Sequence, residues 1–175
     1  MVLALTFLVI VVGVVVGGIL MYSRRINTTW AADAERLGLR YSRGGLISGP
    51  KISGTLENMP VEVVTIPERV NGYTLTKTTV RYRSLGVGFR LDGESTDSGA
   101  FEDRFTIVTD APEDLRVVLT AARRAALIEL VDAHPGLEAT DTTLSVTTTG
   151  SETRSETIAT TVRDLVATAH LLEEG

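Results

Sequence analysis

The sequence predicts an α+β domain, an antiparallel β meander with packed helices, preceded by one N-terminal transmembrane helix. Three observations predict it: an uncharged apolar run from Met1 to Ser23, a block of short strand-like segments between about Leu39 and Asp110, and two long helical periodicities after that block. Consecutive short strands joined by tight turns pair as antiparallel neighbours, whereas parallel strands need crossover helices between them.

The apolar run comes first. Leu, Ile, Val and Phe dominate it. About 21 residues at ~1.5 Å rise span ~31 Å, against a hydrocarbon core of ~30 Å. The run is β-branched and a mediocre helix in water, but in lipid the backbone must satisfy its own hydrogen bonds, which leaves helix. A cleaved signal peptide fits poorly, because no basic n-region precedes the run and the run exceeds a 7–15-residue h-region. The chain therefore divides into an anchor over 1–23, in bilayer contact through residues 2–22, a juxtamembrane linker over 24–27, and a soluble domain over 28–175. Arg24 and Arg25 follow the span with no charged side chain before it. The positive-inside rule then puts the soluble domain in the cytoplasm, under a bacterial inner (plasma) membrane. Gly13 and Gly17 form a G-x-x-x-G, with Gly18 adjacent. Small residues at that spacing let two helices approach closely, so a homodimer through the span is open alongside a monomeric one.

After the anchor, a short amphipathic helix is expected from about Thr28 to Leu37. Asn27 or Thr28 can cap it, Gly38 ends it, and Trp30, Ala34 and Leu37 form its apolar face. The β block follows, punctuated by Gly44-Gly45, Gly49-Pro50, Asn58-Met59-Pro60, Pro67-Glu68 and Asn71-Gly72. Its clearest strands are Val61 to Ile66 and Tyr73 to Arg83, with Gly88 to Asp92 and Phe105 to Thr109 beyond. One long helix is expected from Pro112 to His134, N-capped by Asp110 with Glu113 three residues on, and stopped by Pro135-Gly136. Its core stripe reads Leu115, Val118, Leu119, Ala122, Ala126, Leu130 and Ala133. A strand or hairpin around Leu144-Ser145-Val146 precedes a last helix from Ser155 to Leu172. Thr153 and Glu156 form its capping box, and Ile158, Val162, Leu165, Ala169 and Leu172 its buried face.

Composition narrows the chemistry. With no cysteine, the chain has no disulfide, thiolate metal site or cysteine nucleophile. The two histidines, His134 and His170, lack metal-ligand spacing, and each reads as a structural residue near a helix end. The net charge is −5, and from residue 101 onward 14 acidic residues face 6 basic ones, which disfavours nucleic acid as a partner. Gly45-Leu46-Ile47-Ser48-Gly49 misplaces its serine for a nucleophile elbow, and Gly86-Val87-Gly88 lacks the third glycine of a dinucleotide loop. The loop from Asp92 to Gly99 departs from the calcium pattern at Thr96, so no metal and no cofactor is assigned. Lys77, Thr79, Arg81 and Arg83 alternate along one strand face, with Thr78, Val80 and Tyr82 turned inward. With Arg90 on a neighbouring strand, this basic face suits contact with anionic lipid or a partner, or simply a solvated face that blocks edge pairing.

The series Trp30-x-x-x-Ala34, Leu37-Gly38-Leu39, Ile47-Ser48-Gly49, Thr55 to Val64, Ser98 to Phe105 and Leu115 to Leu130 resembles uncharacterised membrane-anchored bacterial proteins with a soluble α+β domain. The resemblance implies bacterial origin and tethering, with no catalytic role attached. A bacterial source also fits the arginine bias, since Lys51 and Lys77 are the only lysines among 17 basic residues. The expected function is non-enzymatic: a single-pass, tethered module that binds a protein partner or organises a complex. A membrane-proximal domain for lipid headgroups or a small ligand is the alternative. A carboxylate-based enzyme comes last, because nothing assembles an acid–base pair.

Overall fold

The computed structural model describes residues 17–18, 21, 24–44, 49–67, 74–93, 99–150 and 157–174. In chain order the strands are β1 (Arg40–Ser42), β2 (Lys51–Leu56), β3 (Met59–Pro67), β4 (Thr74–Arg81), β5 (Phe89–Gly93), β6 (Phe105–Thr109), β7 (Leu137–Thr140) and β8 (Thr143–Thr149). The helices are α1 (residues 24–37), α2 (Phe101–Arg104), α3 (Pro112–Val118), α4 (Ala121–Ala133) and α5 (Thr157–Glu174). The α+β class holds.

All eight strands join one antiparallel sheet in the order β1-β2-β3-β4-β8-β7-β5-β6. The first four form a meander as expected, but β5 and β6, expected to continue it to Asp110, lie at the other end of the sheet. The β2–β3 turn falls at Glu57-Asn58, both at positive φ, as a two-residue hairpin of type I′ requires. This sits one residue earlier than the Asn58-Met59-Pro60 signal, and frees Met59 to enter the core. At β4 the sheet turns non-local: its next neighbour is β8, about seventy residues on.

One sheet face is apolar and carries the helices. Ile52, Val63, Val80, Leu144, Ala139 and Leu91 lie on it, all buried, with one from each of six strands. α5 packs beneath β4 and β8 and α4 lies beside α5. The α5 stripe Ile158, Val162, Leu165, Ala169 and Leu172 is buried as its periodicity predicts. Tyr41 Oη donates to Asn27 Oδ1 at 2.7 Å, tying α1 to the outer strand β1.

Four expectations change. α1 is already helical at residue 24, so the helix starts a turn before Thr28 and takes in residues 24–27. Ile26 extends the buried stripe of Trp30, Ala34 and Leu37 by one turn. Thr28 donates back to the Arg24 carbonyl, so it lies inside the helix and caps nothing.

The single helix from Pro112 to His134 is two. Thr120 Oγ1 accepts from Arg123 N and starts α4 afresh, while Arg123 Nη1 and Arg124 Nε donate to the carbonyls of Val118 and Leu119. The last carbonyls at the end of α3 are thus satisfied by side chains instead of a further helical turn. The break resets the phase: Leu127 and Val131 are buried while Ala122 and Ala133 are exposed. The α3 cap is also Ala111 with Pro112 following, not Asp110.

The span over 2–22 and the Thr153–Glu156 capping box lie outside the described residues, save that Gly17, Gly18 and Met21 are helical and exposed. Among the described residues, no helix is long and apolar enough to cross a membrane.

Candidate interaction surface

The sheet face opposite the helices is lined with Ser, Thr and charged side chains. Strand alternation puts Lys51, Glu62, Lys77, Thr79, Arg81, Ser145, Thr147, Glu138, Arg90 and Asp92 there. Thr78, Val80 and Tyr82 turn to the core as expected. The register then decides what the basic residues meet. Lys77 Nζ lies 3.2 Å from Glu138 Oε2, reaching across β8 to β7. Arg90 Nε lies 3.4 Å from the other oxygen of the same carboxylate and 2.9 Å from Asp92 Oδ1. The hydrogen bond to Asp92, then the charges of Glu138 and Asp92, raise the Arg90 guanidinium pKa above its usual range. Lys51 pairs with Glu62 on the neighbouring strand.

So of the four residues singled out as a basic face, Lys77 and Arg90 converge on one carboxylate. Arg81 is exposed at the end of β4. Arg83 lies past the strand end, and its backbone N–H donates to Glu173 Oε1 of α5. Glu138 is the residue that sequence reasoning missed. Nothing near Leu137-Glu138-Ala139 announces that a strand over sixty residues away is its neighbour but one.

Gly17, half of the proposed span-packing pair, is helical, with open space where a Cβ would point. Gly13 lies outside the described residues, as do residues 94–98 of the loop weighed for calcium. Among the described residues no three metal-ligating side chains cluster. His134 Nε2 sits 2.7 Å from Asp164 Oδ2, joining the end of α4 to α5, and His170 lies 3.3 Å from Glu57 Oε2. Both histidines clamp elements together.

At the far end of the sheet from Asn27, Tyr82 is buried and its hydroxyl donates to the Thr140 carbonyl. Burial, and then the Asp141 carboxylate, push its phenol far above the ordinary tyrosine range, against a smaller opposing pull from Arg123. Asp141 also accepts from the Leu85 N–H and from Ser84 Oγ, fastening the β4–β5 connection to the β7–β8 turn.

The remaining distinctive surface is the β6 edge. β6 ends the sheet order, so one side of its backbone has no strand partner among the described residues. Ile107 and Val108, on opposite faces of β6, are 37% and 59% exposed, and Val117 of the following α3 is also exposed. On the helix side of β6 lies a cleft of about 150 Å³. Phe101, Ile107, Leu115 and Leu119 form its apolar walls, with Arg116 and Arg124 also lining it. Arg124 stacks over the Phe101 ring, 5.7 Å from its centroid, and lies 3.7 Å from Glu102. Arg104, itself buried, pairs with Asp132 and holds α2 against α4.

No family model and no curated protein matches this chain. Among solved structures, it is similar to the crystal structure of the mycobacterial trehalose monomycolate transport factor A, TtfA. The two superpose with a TM-score of 0.54 over 86% of this chain and 94% of the other, at 11% sequence identity. The likeness is one of fold. It matches the α+β arrangement across nearly the whole of both chains and brings no residue role with it.

Proposed function

We propose that this protein is a single-pass, membrane-tethered, non-enzymatic module of bacterial origin whose α+β domain binds a partner protein. The observation that carries this reading is the pairing of charges on the open sheet face. Lys77 and Arg90 already share Glu138, so that face has little uncompensated positive charge for anionic headgroups. Among the described residues, a surface left with unmet capacity is the β6 edge, which offers backbone donors and acceptors beside exposed Ile107 and Val108. Tethering is supported by the uncharged run over residues 2–22, and the cytoplasmic orientation by exposed Arg24 and Arg25.

Site-specific photo-crosslinking of the full-length chain in its native membrane tests the reading, with the probe at Arg81, Val108 or Leu171. All three positions are exposed and lie on different elements, Arg81 and Val108 on strands at separate places of the open sheet face and Leu171 on α5. The expected result is a discrete protein adduct from at least one position. Adducts to lipid alone at Arg81, with none to protein elsewhere, would transfer the function to headgroup binding. Adducts from none of the three would remove the partner-binding reading.

A further inference from the structure

We propose that the β6 edge is a strand-addition site, and that its occupant is an extended peptide segment with a β-branched, apolar middle and a basic residue at each end. The inference rests on the partner-binding reading above and names the chemistry of the partner.

The middle follows from β6 itself. Its sequence Phe-Thr-Ile-Val-Thr contains no charge and no proline, the two common devices that keep an edge strand from pairing. The opposite edge, β1, is three residues long and begins with an arginine, so it is blunted. A strand added to β6 would turn alternate side chains toward the helix side. There the cleft between Phe101, Ile107, Leu115 and Leu119 accepts an apolar group. On the other face the added strand would cover Val108.

The ends follow from charge. β6 is bracketed by Glu102 and Asp103 before it and by Asp110, Glu113 and Asp114 after it, all exposed. Of these five carboxylates Glu113 pairs with Arg116 and Glu102 lies 3.7 Å from Arg124, while Asp103 before the strand and Asp110 and Asp114 after it have no ion pair among the described residues. A cation at each end of the incoming segment therefore meets an acidic flank.

A second copy of this chain does not suit the edge. The contact between Asn27 and Tyr41 places the start of α1 at the Ser42–Lys51 end of the sheet. Following the register from strand to strand, β6 begins at that same end and runs away from it. Antiparallel pairing of β6 with its copy would send the second tether to the opposite side, out of the same bilayer. A two-fold axis along the strands instead sets like backbone groups opposite one another, donor against donor. A separate, free-running segment meets neither obstacle.

The test uses the full-length chain in detergent micelles and a fluorescent nonapeptide, Lys-Lys-Thr-Val-Thr-Val-Thr-Lys-Lys, read by anisotropy. Saturable binding is expected. It should weaken about tenfold in the double variant Asp110→Lys, Glu113→Lys, since two rim charges at roughly 0.5–1 kcal/mol each give that factor. Backbone N-methylation of the peptide at alternate residues along one edge should abolish binding while leaving its charge intact. Substituting Val108→Lys, at a position 59% exposed, should do the same without unfolding the domain. Equal binding of the N-methylated peptide, or of a glutamate-ended version, would overturn the proposal, as would the absence of saturable binding. Photo-crosslinks to protein at Arg81 or Leu171 but not at Val108 would also overturn it, while leaving the partner-binding function intact.

Discussion

Tyr82 shows how one residue's environment sets a measurable property of the whole chain. Its phenol is buried and donates to the Thr140 carbonyl, and its pKa is raised from 10.0, so the folded state favours the neutral form more than the unfolded state does. The resulting stability is fully present below pH 10, the unfolded value, and drains away as pH climbs from there toward the folded value. Urea titrations of the full-length chain in micelles should therefore show a midpoint that falls as pH rises past about 10, the unperturbed tyrosine value. The fluorescence of the single tryptophan, fully buried Trp30, can report them. Tyr82→Phe should cost about 1 kcal/mol at neutral pH through the lost hydrogen bond. It should also flatten the alkaline decline; an undiminished decline would assign it to another group. That Tyr82 faces the core is legible in the alternation from Thr78 to Tyr82. That Asp141 stands beside it is not, because the two meet only through a turn some sixty residues away.

At the scale of elements, the break between α3 and α4 reverses the sign of a substitution. Inside a continuous helix, Thr120→Ala would stabilise the protein by about 0.5 kcal/mol, since alanine is the better helix former. As the N-cap of α4, Thr120 accepts from the Arg123 N–H, and its loss should instead destabilise by about 1 kcal/mol. The shift in urea midpoint distinguishes the two, and a stabilised variant would restore the single-helix description. The apolar spacing from Leu115 to Leu130 looks continuous because both helices bury residues against the same core. What interrupts it is a pair of arginine side chains taking carbonyls that a longer helix would have used, and periodicity is blind to that competition. Gly136 is the reverse case. Pro135-Gly136 reads as a stop, and the residue stands at φ +86 with a Cβ position 2.8 Å from the Thr147 carbonyl oxygen.

At the scale of the molecule, the sheet order decides which charges are free. Glu138 holds Lys77 from one side and Arg90 from the other, partly screened by solvent at side-chain exposures of 27–55%. Glu138→Gln should cost about 0.5–1 kcal/mol at low ionic strength, shrinking toward zero in 0.5 M salt as screening replaces the lost partner. An effect that survives salt unchanged would mean that Glu138 acts through packing. The same order leaves β6 at an edge although Phe-Thr-Ile-Val-Thr has the composition of an interior strand. It is also what makes the tether direction bear on the partner, because every strand's polarity is fixed relative to α1.

The sequence by itself determined the class of the fold, the meander of its first half, the inward face of β4 and the buried stripe of α5. Each of these follows from repeats of two or 3.6 residues that local backbone geometry reads directly. Only the tertiary structure decided that β4 lies beside β8, that Lys77 and Arg90 meet at Glu138, and that β6 is left at the edge. Those facts depend on contacts between residues far apart in the chain, and their sign is set by burial and register rather than by any local pattern. The candidate surface thus moved from a basic strand, visible in the alternation of Lys77, Thr79 and Arg81, to an uncharged one. Lys77 of the first strand is met by Glu138, and one side of the second strand's backbone has no strand partner among the described residues.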